Sequence, residues 1–85
     1  MTQLEQYAAS KNIVLGDAIR MVLMRWDVGM LALDNDEKQA AAERILSEQP
    51  ADHESVAEIL REITDREVVI TQRGSQTRIR IAYAE

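Results

Sequence analysis

The 85-residue sequence contains no cysteine, one proline, three glycines and one histidine, and aromatic residues make up only 4% of it. Without cysteine the chain has neither disulfides nor thiolate metal ligands, which favours a reducing compartment, so we expect a cytoplasmic protein. The most apolar stretch, residues 13–33, carries four charged residues, and the first residues lack the basic and then apolar pattern of a secretory signal. We therefore expect neither a membrane span nor a signal peptide.

The composition is that of one small globular domain covering residues 1–85. Apolar residues make up 46% of the chain and charged residues 29%, and the length is too short for two independent cores. A domain of this size buries only about 60% of the surface that its unfolded chain exposes. Because that leaves an isolated monomer marginally stable, we expect self-association or a partner.

The net charge of −5 is unevenly distributed along the chain. Residues 1–33 are neutral overall. Residues 34–67 hold eleven acidic and four basic side chains, a net charge of −7, whereas residues 68–85 carry a net charge of +2. The overall negative charge therefore does not exclude an anionic partner for the C-terminal segment.

Apolar residues at helical spacing predict four helices. The first covers residues 4–11, and the second follows a short turn and covers residues 15–33. The third, from about Asp36 to Glu48, begins at an acidic cap, and the fourth follows Pro50 and is capped by Asp52. The fourth has an apolar stripe of Val56, Ile59, Leu60 and Ile63 and an outer face of Glu54, Glu58 and Glu62.

The second predicted helix is apolar on more than one side. Beside its main stripe it carries a further apolar face made of Met21, Met24, Val28 and Leu31. Either a second copy of the chain covers this face in a homodimer, or the helix is the centre of the core and the other helices surround it. Gly29 is expected to mark a bend or a close contact within the helix.

From Val68 onwards the apolar period changes to two, which predicts a β-hairpin turning at Gly74-Ser75. If Arg73 opposes Gln76, one face carries Val68, Ile70, Ile79 and Ile81. The other face carries Val69, Thr71, Arg73, Arg78 and Arg80. The expected fold is α+β, four helices followed by a C-terminal two-stranded antiparallel β-hairpin.

The sequence contains few side chains of the kinds that catalyse reactions or bind metal ions. His53 falls in the first turn of the fourth helix, where an exposed and ordinary histidine is expected rather than a catalytic one. Residues 34–38 resemble a calcium loop only faintly, because a lysine takes a ligand position and the required glycine is missing, so helix capping explains them better. We expect no catalytic residue, no metal site and no cofactor, and hence no enzyme.

The arginines at positions 73, 78 and 80 form the candidate nucleic-acid-binding set. A two-stranded ribbon can enter a major groove or lie along phosphates, which makes double-stranded DNA a candidate partner. The alternatives are an ordinary solvated sheet face or arginines that neutralise the acidic helices of the same chain. No aromatic residue lies between them, which argues against a platform for stacking single-stranded bases.

Residues 4–26, LEQYAASKNIVLGDAIRMVLMRW, resemble the two helices of ribbon–helix–helix regulators: a short helix, a turn, a small or acidic start, then Ala-Ile-Arg. In that family a β-strand before the first helix pairs across the dimer and reads DNA. Only three residues precede Leu4 here, so we carry over no DNA-reading residue. The resemblance implies a second helix that dimerises.

Residues 56–82, which include VAEILREITDREVVITQRGSQTRIRI, resemble the helix and hairpin of Phd/YefM-type antitoxins, where a strand, a turn with a basic residue and glycine, and a second strand follow a helix. That resemblance implies a dimer that binds operator DNA and covers a toxin with a C-terminal tail. Four residues follow the hairpin in this sequence and the N-terminal half does not match, so no toxin-binding residue is carried over.

These patterns favour recognition over chemistry. We expect a small non-enzymatic regulator of antitoxin or transcriptional-repressor type. Its acidic face, with Glu54, Glu58 and Glu62, would engage a basic protein, and its hairpin arginines would contact DNA. The alternative is an inhibitor encoded by a phage or mobile element, similar to an anti-CRISPR protein, that blocks a nucleic-acid-binding surface on its target.

Overall fold

A computed structural model of the chain describes residues 2–84 and confirms the α+β fold of four helices followed by an antiparallel hairpin. The helices are α1 (Gln3–Lys11), α2 (Leu15–Arg25), α3 (Asn35–Glu48) and α4 (His53–Thr64), with a short 3-10 helix at Met30–Ala32. The strands are β1 (Val68–Arg73) and β2 (Gln76–Ile81). Over residues 2–84, no helix combines the length and the apolar character that crossing a membrane requires.

Three of the four helices begin at a side-chain cap. At α3, Asp34 Oδ1 accepts the backbone N–H of Glu37 at 2.7 Å, and the Glu37 carboxylate accepts the N–H of Asp34 in return. This capping box is the role expected for residues 34–38. Asp52 caps α4 by accepting the N–H of Ser55 at 2.9 Å, as predicted.

The prediction of a helix over residues 15–33 is wrong beyond Arg25. The chain leaves the helix at Trp26, and Asp27 takes a left-handed conformation with φ of 53°. The N–H of Gly29 then donates to the carbonyl of Ile79 at 2.9 Å, and the N–H of Ile79 donates to the carbonyl of Asp27 at 3.0 Å. Residues 27–29 therefore add a parallel bridge to β2, and this tertiary pairing outweighs the weak helix propensity of Val28 and Gly29.

The core lies between the helices and the inner face of the hairpin. α2 packs on α1 and α3, α3 packs on α4, and α4 packs on both strands. The predicted stripe of α4 is confirmed, since Val56, Ile59 and Leu60 are buried and Ile63 packs beside them. Burial of this apolar surface is the main force that holds the hairpin on α4.

The hairpin has the predicted register. Arg73 opposes Gln76, and the pairing places Val68, Ile70, Ile79 and Ile81 on the inner face. Of the two central residues of the hairpin turn, Gly74 has a positive φ, at 63°, as a two-residue turn with glycine in the first central position requires. The local sequence therefore suffices to align the two strands.

Candidate binding surface of the hairpin

The outer face of the hairpin is open to solvent and points away from α4. Its members are Val69, Thr71, Arg73, Gln76, Arg78 and Arg80, all of them exposed. The opposite face is covered, since Val68, Ile79 and Ile81 are buried against the helices. The pleat of the strands thus puts the three predicted arginines together on a single accessible face.

The three arginines differ in their neighbours. Arg78 Nε lies 3.5 Å from Asp27 Oδ1 in an exposed pair, and Gln76 Nε2 donates to Asp27 Oδ2 at 3.2 Å. Among residues 2–84, no carboxylate oxygen lies within 4.0 Å of Arg73 or Arg80. The side chain of Arg78 is 60% exposed despite this pair, and Arg73 and Arg80 are exposed as well, so all three guanidinium groups are accessible to an anion.

Several glutamates of α3 and α4 pair with arginines of the same two helices. Arg61 Nη1 lies 3.1 Å from Glu54 and 2.6 Å from Glu58, while Arg44 binds Glu48 at 2.6 Å and Glu62 at 3.2 Å. Within residues 2–84, no ion pair joins the hairpin arginines to residues 34–67. The alternative in which the hairpin arginines pair directly with the acidic helices is therefore contradicted for the described residues.

These pairs change the pKa values of the two helical arginines. The hydrogen bonds that Arg61 donates to Glu54 and, next in effect, to Glu58 raise the pKa of Arg61. The hydrogen bond with Glu48, followed by that with Glu62, raises the pKa of Arg44. All three glutamates predicted to engage a protein partner are exposed, and each is paired with Arg61 or Arg44 in an exposed pair of the kind that contributes little.

Two exposed apolar side chains lie beside the arginines. Leu31, on the 3-10 helix, is 90% exposed and Tyr83, after β2, is 68% exposed. With the arginines they border an open groove of about 800 Å³, here called the hairpin groove. It is lined by Leu31, Thr71, Gln72, Arg73, Gln76, Arg78, Arg80 and Tyr83. The sequence did not indicate this neighbourhood, because helical periodicity had assigned Leu31 to the second helix.

The predicted dimer face is divided by the early end of α2. Met21 and Met24 remain exposed on α2, at 43% and 60%, but Leu31 lies beside the hairpin. Val28 is only 5% exposed and belongs to the core, so its assignment to an interface is wrong. The physical reason is the bridge of Val28 to Ile79, which turns the valine side chain inwards.

No constellation for catalysis is apparent in the part of the chain that the structure describes. His53 opens α4 as predicted, but its ring is half-buried against the edge of Trp26, with ring centroids 5.2 Å apart, and is therefore less exposed than expected. Among residues 2–84, no group of three potential ligands could hold a metal ion. The hairpin groove brings three arginines, two glutamines and one tyrosine together on one surface.

Comparisons of the chain with protein-family models, with curated proteins and with solved structures found no match. The function is therefore argued from the chain's own residues.

Proposed function

We propose that this protein is a small non-enzymatic regulatory binding protein, of antitoxin or repressor type, whose hairpin contacts DNA. The observation that carries the proposal is the set of Arg73, Arg78 and Arg80 on the outer face of the hairpin, opposite the face that the helices cover. Arginine suits this role because its planar guanidinium can bridge two oxygen acceptors of a phosphate or a guanine edge.

The spacing of the arginines supports contact with an extended polyanion. Arg78 and Arg80 are two residues apart on one strand, so their α-carbons are about 6.5 Å apart along the ribbon. Arg73 lies on the neighbouring strand at the turn. A row of cations on a ribbon can follow the phosphates along a groove edge, and among residues 2–84 no carboxylate of the acidic helices pairs with these cations.

Salt dependence of duplex binding tests this proposal. Three phosphate contacts predict that the logarithm of the binding constant falls with the logarithm of salt concentration with a slope of about −2.7, and each Arg→Gln change removes about 0.9 from it. Fluorescence anisotropy with an operator-sized duplex measures both quantities. Arg25→Gln is the matched control, since Arg25 is an exposed arginine on α2, outside the hairpin. The proposal is contradicted if the protein does not bind the duplex at low salt. It is also contradicted if Arg25→Gln reduces the affinity or the slope as much as the hairpin variants do.

A substitution of Asp27 gives a second test, in which the affinity for duplex DNA is expected to increase. Its carboxylate competes with phosphate for Arg78. Asparagine tolerates the left-handed backbone of this residue as well as aspartate does, so Asp27→Asn should keep the fold. We expect this change to tighten duplex binding, and unchanged or weaker binding would exclude Arg78 as a contact.

A second candidate function starts from the acidic helices, whose segment 34–67 has a net charge of −7. An inhibitor could use that charge to occupy the basic nucleic-acid-binding surface of another protein. Asp36 and Glu43 are two carboxylates of this segment that have no basic group within 4.0 Å among residues 2–84, and they would be available as contacts. Asp36→Asn with Glu43→Gln would then weaken binding of a basic protein and leave duplex binding unchanged, whereas the hairpin variants would do the opposite.

A further inference from the structure

The hairpin groove combines charged and apolar groups in a way that phosphate contact alone does not require. A smaller hollow of about 130 Å³ adjoins it, and both are lined by Leu31, Arg78, Arg80 and Tyr83. Two cations therefore lie beside one aromatic ring and one aliphatic side chain. The surface thus offers guanidinium groups for an anion and an aromatic face next to them.

Hydrogen bonds hold the segment that bears Tyr83 in place. The N–H of Ala82 donates to the carbonyl of Glu67 at 2.9 Å, and Arg66 Nη1 donates to the carbonyl of Ala82 at 2.9 Å. Both backbone groups of the residue before Tyr83 are thus occupied. A side chain presented from an anchored backbone loses less conformational entropy on binding.

The segment that bears Leu31 is anchored in a comparable way. It follows directly on Gly29, whose N–H donates to the carbonyl of Ile79 in β2. The two side chains therefore line the same hollow beside Arg78 and Arg80, with Leu31 held by the bridge to β2 and Tyr83 by the end of β2. The groove is preorganised around these arginines.

The sequence argues against base stacking because no aromatic residue lies between the arginines, but the fold brings Tyr83 beside Arg78 and Arg80. A nucleotide matches these groups, since it joins an anionic phosphate to a flat base. We propose that the hairpin groove binds single-stranded nucleic acid, with phosphates on Arg78 and Arg80 and an unpaired base stacked on Tyr83. This inference rests on the proposed function, because it uses the same arginines, and it adds the form of nucleic acid that the site selects. In a duplex the faces of the bases are covered by their neighbours, whereas an unpaired base can stack on an aromatic ring.

The test compares a labelled oligothymidylate of about 12 nucleotides, within the usual range of single-strand site sizes, with a duplex of equal length. We expect the wild-type protein to bind the single strand more tightly. Tyr83→Ala should weaken single-strand binding by about 5- to 150-fold, the effect of losing one base–aromatic stack, and leave duplex binding unchanged. Tyr83→Phe keeps the ring and is the matched control, and Arg80→Gln should weaken both complexes.

The outcomes separate the two proposals. Duplex binding that exceeds single-strand binding, or a Tyr83→Ala variant that binds the single strand like the wild type, overturns the inference and leaves the proposed function intact. Loss of binding in Tyr83→Phe as large as in Tyr83→Ala also overturns it, since the ring would then not be the contact. Absence of binding to either form overturns both proposals.

Discussion

The backbone N–H of Gly29 donates to the carbonyl oxygen of Ile79 at 2.9 Å. This bond connects the segment after α2 to β2, although the two residues are far apart in the sequence. Because the bridge requires an extended backbone at Gly29, α2 cannot continue past Trp26. The same bridge buries Val28 and leaves Leu31 exposed beside the hairpin arginines, so it shapes both the core and the candidate binding surface.

Two glycine substitutions should have different effects on stability. Gly74→Ala is expected to lower the free energy of unfolding by about 1–2 kcal/mol, because its φ of 63° is unfavourable for any residue with a Cβ. Gly29→Ala should instead be neutral or stabilising by up to about 1 kcal/mol, since an added Cβ would lie 3.5 Å from the Ile79 carbonyl, an ordinary contact, and φ is −72°. Urea unfolding followed by circular dichroism measures both free energies of unfolding. A clearly lower stability of Gly29→Ala would mean that the contact of the added Cβ with the Ile79 carbonyl is unfavourable.

Val28 and Met24 should respond differently to truncation. Val28→Ala removes buried methyl groups and is expected to lower the free energy of unfolding by about 2 kcal/mol. Met24→Ala, at a side chain 60% exposed, should change it by less than about 0.5 kcal/mol. Chemical denaturation of both variants measures these changes. If both substitutions changed the free energy of unfolding equally, Val28 would be no more buried than Met24, as expected if α2 continued through Val28.

The cap of α4 should make stability depend on pH in acid. The backbone N–H of Ser55 lowers the pKa of Asp52 below its ordinary value. A carboxyl whose pKa is lower in the folded chain stabilises the fold above its unfolded pKa and loses that contribution as the pH falls through the folded one. The loss is thus expected below about pH 4.

Asp52→Asn isolates that contribution, since asparagine caps a helix without titrating. The difference in unfolding free energy between wild type and variant should shrink as the pH falls below about 4. Glu5, whose pKa is also lowered, chiefly by the Thr2 backbone N–H, is present in both proteins and cancels. A difference that is constant from neutral pH to pH 2 would disprove the role of the Asp52 charge.

Arg66 links the start of α3 to the C-terminal segment. Its Nη2 lies 2.8 Å from Glu37 Oε1 in a largely buried pair, and its Nη1 binds the Ala82 carbonyl. Arg66→Met keeps an apolar stem but removes both bonds, and should lower the free energy of unfolding by about 1.5–3 kcal/mol. Glu37→Gln keeps an acceptor for the Asp34 N–H and should cost less in the same denaturation experiment; a larger cost would mean that the charge of Glu37 matters more than the contacts of Arg66.

Self-association through α2 remains a prediction, now confined to Met21 and Met24. We expect a dimer by sedimentation velocity at micromolar concentration, and monomers when both residues are changed to glutamate. Leu31→Glu is the control, because Leu31 is exposed on a different surface and should leave the dimer intact. A wild-type protein that is strictly monomeric would mean that α2 serves only the core of its own chain.

The features predicted correctly depend on neighbours in the sequence. Asp34 and Asp52 cap helices three residues from their partners, and Gly74 sets the hairpin register through a two-residue turn. The period of two then assigns Arg73, Arg78 and Arg80 to one face without knowledge of the rest of the fold. The candidate arginines could therefore be found from the sequence alone.

The contacts between distant parts of the chain were decided only by the tertiary structure. Helical periodicity continues past Arg25, but the backbone bonds of Asp27 and Gly29 to Ile79 end the helix, bury Val28 and bring Leu31 to the arginine face. The pairing of Glu62 on α4 likewise depends on where Arg44 of α3 lies after folding. Local sequence patterns determine which elements form and which residues share a face. Long-range hydrogen bonds and ion pairs, which sequence periodicity does not reveal, determine where an element ends and which residues its faces contact.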